Sequence, residues 1–188
     1  MKIIVNCAWV GRNEAVDEPG PDPHARKMPQ SSCRLRTHIQ RTVVAAPIDL
    51  VWERVSSMAG INDELMPYLK MAVPRQHRGK SIADIEVGQP LGKVPLLAGG
   101  FLPVDYDDLT LVELTPGRGF REDSSMASMA VWQHARTLTA VSPTSTEVVD
   151  ELGFRPRLLF RPLTPLLAWF VGHLFRHRHR KLWAHFSR

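Results

Sequence analysis

The sequence predicts an α+β domain in which a curved antiparallel β-sheet wraps around a long C-terminal α-helix, with two short helices after the first strand. Three observations carry this expectation. Periodicity changes in a set order along the chain: a strand, two short helical stretches, a series of alternating segments, then one long helical stretch. Turn residues at Pro116-Gly117 and Ser142-Pro143 join alternating segments tightly enough to make them antiparallel neighbours. The closing stretch 155–188 carries a helix-period apolar stripe of Leu163, Leu167, Phe170, Leu174, Leu182 and Phe186, widened by Val171, Phe175 and Trp183.

In chain order, residues 1–34 form an N-terminal extension. Residues 1–10 could add an edge strand, whereas 11–34 are rich in Pro, Gly and charge, with Pro19-Gly20-Pro21 breaking regular structure. The domain proper spans 35–188. Its first strand is 35–45, with Leu35, Ile39 and Val43 on one face. Pro47 then opens a short amphipathic helix that buries Ile48, Val51, Trp52 and Val55 and fades by Gly60. A second helical turn is expected at 62–70, limited by Pro67. Strands are expected at 81–87, 109–114, 119–123, 130–141 and 145–154. The connection 89–105 alternates Leu and Val with Pro90, Pro95, Pro103 and Gly99-Gly100, the pattern of a distorted strand or a flap over a cavity.

Composition narrows the function class. The chain has 188 residues, 44% of them apolar and 23% charged, which suits one soluble domain with a full core. No run of apolar residues approaches the roughly 18 that a bilayer span requires. A signal peptide is not expected, because Asn6 interrupts the first apolar run and no small-residue cleavage pattern follows. Cys7 and Cys33 fit neither a metal nor a redox spacing, so a cytoplasmic protein with ordinary thiols is expected. Charge is uneven. The chain nets +5, and the tail 155–188 holds eight Lys or Arg residues with no Asp or Glu. A helix so composed either closes a compact domain with its basic side in water or docks on a membrane or partner surface.

The text VVAAPIDLVWERVS at 43–56 resembles the passage from first strand to first helix in the START-like helix-grip superfamily, also called SRPBCC or polyketide-cyclase-like. WQHARTL at 132–138, TEVVDELGF at 146–154 and HLFRHRHRKL at 173–182 resemble its ligand-binding bacterial branch. The resemblance covers about 35–186. It implies a helix-grip fold with a hollow between sheet and helix. It also implies a role among those of the superfamily, whose members bind lipids, steroids, hormones or polyketides and only sometimes catalyse reactions.

His134 is the foremost candidate for chemistry. On its strand Trp132, His134, Arg136 and Leu138 share one face, and on the next Val148, Asp150, Leu152 and Phe154 alternate likewise. Paired as a hairpin, these strands bring Asp150 or Glu151 to His134 or Arg136. Such a group can satisfy itself beside the core, anchor a polar end of a ligand, or act as an acid–base pair. The expected ligand-binding set is Trp132, His134, Arg136, Asp150, Leu97, Phe101, Met126, Phe170 and Leu174, and the catalytic candidates are His134 and Asp150. Asp105, Asp107 and Asp108 could with Glu86, Glu122 or His134 hold a hard cation, but they lack a calcium-loop pattern and read as a solvated loop, with a placement that suggests a fixed turn or pocket mouth. His173 and His177 share a helix face but lack further zinc ligands, so no metal is expected. No nucleic-acid motif is present and no cofactor is implied.

The expected function is binding of a small hydrophobic or amphipathic molecule in a cavity between sheet and helix, by sequestration or presentation. One alternative is a cyclase- or dehydratase-like enzyme that uses His134 with a carboxylate. The other is an interaction module whose basic C-terminal helix meets an acidic protein or an anionic membrane surface.

Overall fold

The computed structural model describes residues 35–73, 79 and 81–187. The expectations for the extension 1–34, including its edge strand and both cysteines, lie outside the described residues.

Seven strands form one antiparallel sheet in the order β1-β7-β6-β5-β4-β3-β2. They are β1 (Arg36–Val44), β2 (Leu69–Met71), β3 (Pro90–Ala98), β4 (Leu102–Thr115), β5 (Gly119–Met126), β6 (Met129–Ser142) and β7 (Ser145–Pro156). Two short helices, α1 (Ile48–Ser56) and α2 (Met58–Leu65), follow β1, and α3 (Thr164–Phe186) closes the chain. The sheet curls around α3, which is the helix-grip fold.

Every step from β3 to β7 joins adjacent strands, so local turns build most of the sheet. The chain's first strand completes it by pairing with β7, Val44 facing Thr146 and Arg36 facing Phe154. The hydroxyl of Thr146 donates to the carbonyl of Ala46 at 2.8 Å, fastening the link into α1 to the sheet. Val44, Ala46, Val51, Val55, Leu138, Val148 and Leu182 then form one apolar cluster under α1, with Ile48 and Trp52 partly buried against it.

Several local expectations change. In β1 the inward row is His38, Gln40, Thr42 and Val44, and Ile39 and Val43 are exposed. The inward side chains meet α3, where His38 lies against Gly172. The second helix begins earlier than expected, at Met58, because Ser57 caps it: its Oγ accepts from the Gly60 N–H at 3.0 Å. Residues 81–87 hold a 3-10 turn at Ile82–Asp84 where a strand was expected, closed by a Ser81/Asp84 capping box. The proline-punctuated connection is largely strand β3, and its register shifts near Gly92 and again at Leu96/Leu97. Gly92 takes φ +77°, a conformation that lets the strand break step there.

The terminal helix also differs from its expected stripe. Val171, Leu174, Phe175 and Leu182 are buried, whereas Leu163 and Trp183 are about half exposed. The segment Leu158–Phe186, a 3-10 run leading into α3, reaches a mean hydropathy of 1.3 over 18 residues. That is long and apolar enough to cross a membrane by length and composition, contrary to the count of unbroken apolar residues.

Candidate functional site

The alternation of β6 and β7 is what assembles the polar heart of the molecule. Arg136 stands opposite Asp150 and His134 opposite Leu152, which puts all the inward-facing polar side chains under α3. Arg136 grips Asp150 in a fork: Nε donates to Oδ1 and Nη2 to Oδ2, each at 2.7 Å. Its remaining nitrogen, Nη1, donates to both oxygens of Glu64 on α2, at 3.1 and 3.0 Å. From α3, Arg178 Nε donates to Glu64 Oε2 at 3.2 Å, and His179 Nε2 donates to Asp150 Oδ2 at 3.0 Å.

His134 completes the chain of contacts. Its Nε2 donates to Asp150 Oδ1 at 3.0 Å and its Nδ1 donates to Glu122 Oε1 at 3.1 Å. Burial by itself would lower its pKa. The Asp150 carboxylate, with Glu122 behind it, outweighs burial and holds the imidazole above its ordinary value of 6.5. Burial likewise favours a neutral Asp150, but the Arg136 guanidinium and then His134 hold it well below the ordinary carboxylate range. Asp150 accepts four hydrogen bonds, two at each oxygen, and has no exposed surface. Glu64, Arg136 and Asp150 therefore form a sealed ionic joint between α2, the sheet and α3.

Beside this joint lies a cavity of about 340 Å³. Its walls come from α2 (Met58, Ile61, Leu65), the 3-10 turn (Ile82, with Ile85 after it), β3 (Leu91, Val94, Leu96) and β4 (Leu109, Leu111). Phe120 and Met126 of β5, Met129 and Trp132 of β6, and Leu167, Phe170, Val171, Leu174 and Phe175 of α3 close it. The volume lies at the low end of small-molecule sites, and apolar walls with few polar groups are their usual make-up.

Polar side chains interrupt these walls, Ser81, Asp105, Ser128 and Arg178 among them. Asp107 on β4, Glu122 on β5 and His134 on β6 all line the cavity. Asp107 is 5% exposed, and its Oδ1 is buried without a hydrogen-bond partner. Burial, reinforced by the neighbouring charge of Glu122, pushes its carboxyl up to about 7. The nearby Asp105 behaves differently. It caps the β5–β6 turn, accepting from the backbone N–H groups of Ala127 and Ser128 at 2.7 and 3.3 Å. Both acids line the hollow, but Asp105 is occupied by the turn, whereas Asp107 keeps an oxygen without a partner.

Among the residues expected from sequence, Trp132, His134, Met126, Phe170 and Leu174 line the cavity. Arg136 and Asp150 do not: they sit behind it, saturated by the joint. Leu97 points away because its neighbours Val94 and Leu96 take the inward positions of β3. Phe101 is 80% exposed at the β3–β4 turn and lies outside the lining. Asp107 and Glu122 line the cavity as well, outside the expected ligand-binding set. Asp107 belongs to a strand and is buried, so the solvated-loop expectation fails for it. Strand alternation was the available signal: the inward row Leu111, Leu109 extends to Asp107, and Phe120 extends to Glu122. On α3, His177 Nε2 donates to the Met66 carbonyl at 2.8 Å and His173 Nε2 lies 3.0 Å from the Tyr68 hydroxyl. No group of three or more metal-ligating side chains occurs among the described residues.

Comparison with known proteins places this architecture. The model of a family described as a domain of unknown function (DUF8410) matches residues 42–186. An aromatase/cyclase, ZhuI, from Streptomyces sp. R1128 superposes with a TM-score of 0.61 at 17% identity, covering 82% of this chain and 95% of that one. A START superfamily protein from Mycobacterium smegmatis gives 0.57 at 13% identity, covering 80% and 97%. A protein from Chromobacterium violaceum gives 0.58 at 18% identity, covering 81% and 98%. At these identities the likeness establishes the START-like fold. No curated protein matches the sequence.

Proposed function

The chain belongs to the DUF8410 family, and we propose that its START-like domain binds a small, mainly apolar molecule in the cavity between sheet and α3. The observation that carries this reading is the buried Asp107 Oδ1, left without a partner among the polar groups that line a mainly apolar hollow. An unpaired buried polar atom costs roughly 1–3 kcal/mol. A ligand that brings one hydroxyl or carbonyl to this spot offsets that cost, while its apolar body fills the remainder. The ligand is therefore amphipathic, with its polar end at Asp107 and Glu122. Its capture needs no cofactor, and the action is sequestration or presentation.

Protonated Asp107 donates to a carbonyl oxygen, whereas the ionised form accepts from a hydroxyl. Its pKa near 7 makes the choice depend on pH. A second reading, acid–base catalysis, is favoured by that same acid standing beside Glu122, and it moves the catalytic role from His134 to Asp107. Both nitrogens of His134 are already donating, so it has no free site to accept a proton.

Native mass spectrometry of the purified protein, followed by denaturation and identification of any released organic molecule, tests the binding reading. A stoichiometric passenger of cavity size supports it and supplies the compound for a turnover assay. An empty protein that also fails to bind a panel of apolar fluorescent probes overturns it.

A further inference from the structure

The outward side of α3 and the 3-10 run before it form an extended exposed apolar surface. Leu158, Leu159, Leu163, Leu166 and Trp169 fall within twelve residues and are 48–83% exposed. Only 22% of the most apolar 18-residue stretch of this segment is buried. From Leu166 the row continues at spacings of three and four through Trp169, the half-buried His173, Arg176, Arg180 and Trp183, one side of a helix about 30 Å long.

The charges on this row differ from those on the inner side. Arg178 and Lys181, which point elsewhere, are paired with Glu64 and Asp63. Arg176, Arg180 and Arg161 make no ion pair among the described residues, and neither does Arg41, which flanks the same row from β1. No Asp or Glu occurs anywhere in 155–188. Exposed apolar side chains run on into these unpaired arginines along one side of the helix, the composition that suits the headgroup boundary of an anionic bilayer. Two tryptophans flank the cationic part, with Trp169 stacked on His173.

The geometry points to a docking surface for an anionic phospholipid bilayer, formed by Leu158–Leu163 and the outer side of α3. Leucines and Trp169 enter the boundary between headgroups and acyl chains, and Arg161, Arg176 and Arg180 meet the lipid phosphates. The inner side of the same turns, Leu167 and Phe170, walls the cavity. Docking therefore sets that wall one helix width from the lipid. The surface itself stands whether or not the cavity holds a ligand.

The test is co-sedimentation of the full chain with vesicles of phosphatidylcholine alone and of phosphatidylcholine with about one-third phosphatidylserine. Binding is expected to the anionic vesicles, to be lost at high salt, and to weaken about fivefold for each of Arg176→Ala and Arg180→Ala. Leu159→Asp and Leu166→Asp are expected to reduce binding tenfold or more. All four sites are exposed, and circular dichroism with apolar-probe binding measured without vesicles checks that fold and cavity survive. Equal binding to both vesicle types, or anionic binding that ignores the leucine variants, overturns the proposal. So does a dimer in solution that Leu166→Asp dissociates, because a second copy then covers this face. Loss of probe binding with vesicle binding intact overturns the cavity reading alone.

Discussion

Arg136 holds both oxygens of Asp150 at 2.7 Å from directly across the β6–β7 ladder, and neither side chain has meaningful contact with water. The pair is the centre of a joint that also takes Glu64 from α2 and Arg178 and His179 from α3. Such a joint does little for net stability compared with a well-packed apolar substitute, yet breaking one side of it is severe. It holds three separate elements in one arrangement and so sets the position of α3 over the cavity.

Arg136→Met leaves Asp150 and Glu64 buried with much of their compensation gone. The expected loss is about 3–5 kcal/mol in urea unfolding. A loss under about 1 kcal/mol would show that water reaches the joint and that the charges are not sealed.

Asp107 has the opposite character, because its Oδ1 is buried without a partner and burial with the Glu122 charge outweighs what Ser124 and His134 offer it. Between its ordinary value of 3.8 and its folded value of about 7, the folded protein holds a proton that the unfolded chain has released. Stability therefore falls as pH rises through that window and levels off above it. Asp107→Asn removes this slope, and its gain over the parent grows from pH 4 to pH 7, reaching a few kcal/mol. Unfolding curves at several pH values decide the matter, and an unchanged slope in the variant would place the proton elsewhere.

His134 contributes with the other sign. Its imidazolium is held above 6.5 by Asp150 and Glu122, so its contribution is fully present below 6.5 and is lost as pH rises through the folded value. In a proton NMR titration the His134 ring signal is expected to shift at higher pH than the exposed imidazole of a model peptide. Asp150→Asn brings that midpoint down, provided the variant folds. A midpoint below 6.5 in the parent would mean that desolvation prevails over the carboxylates.

Much of this arrangement was legible from alternation alone. Trp132, His134 and Arg136 on one strand face and Asp150 on the next predict a polar cluster, and the Ser142-Pro143 turn makes the two strands neighbours. Which members face a ligand was not legible, because that depends on saturation: Asp150 is consumed by four hydrogen bonds from three residues on two elements, His134 and Arg136 of β6 and His179 of α3. Asp107 hid in an acidic run, where composition argues for water and only the period of two with Leu109 and Leu111 argues for burial. The buried Arg178 and His179 hid in a basic run for the same reason. Their partners Glu64 and Asp150 lie far away in sequence, and no local pattern marks the contact.

Gly60 is required by close approach. A Cβ there would come within 1.9 Å of the Arg54 carbonyl oxygen, because α2 starts tight against the end of α1. Gly60→Ala must push the two helices apart, and Glu64 lies one turn further along α2. The expected cost is roughly 1–3 kcal/mol or more, with weakened coupling to Arg136. A double-mutant cycle with Glu64→Gln measures that coupling. Strict additivity would show that the displacement does not reach the joint.

Filling the cavity separates a ligand site from a packing defect. Met126 and Leu109 line the hollow from neighbouring strands, and neither takes part in the ionic joint or the polar lining. Met126→Trp and Leu109→Trp put an indole into space that the parent leaves open. If the hollow exists to take a ligand, each variant keeps its fold, loses affinity for apolar probes at least tenfold, and unfolds at an equal or higher temperature, since added contacts replace empty volume. If the parent core collapses around the hollow in solution, the added indole is overpacking and costs about 1–3 kcal/mol. The two outcomes differ in sign, so one pair of melting curves with one probe titration tells them apart.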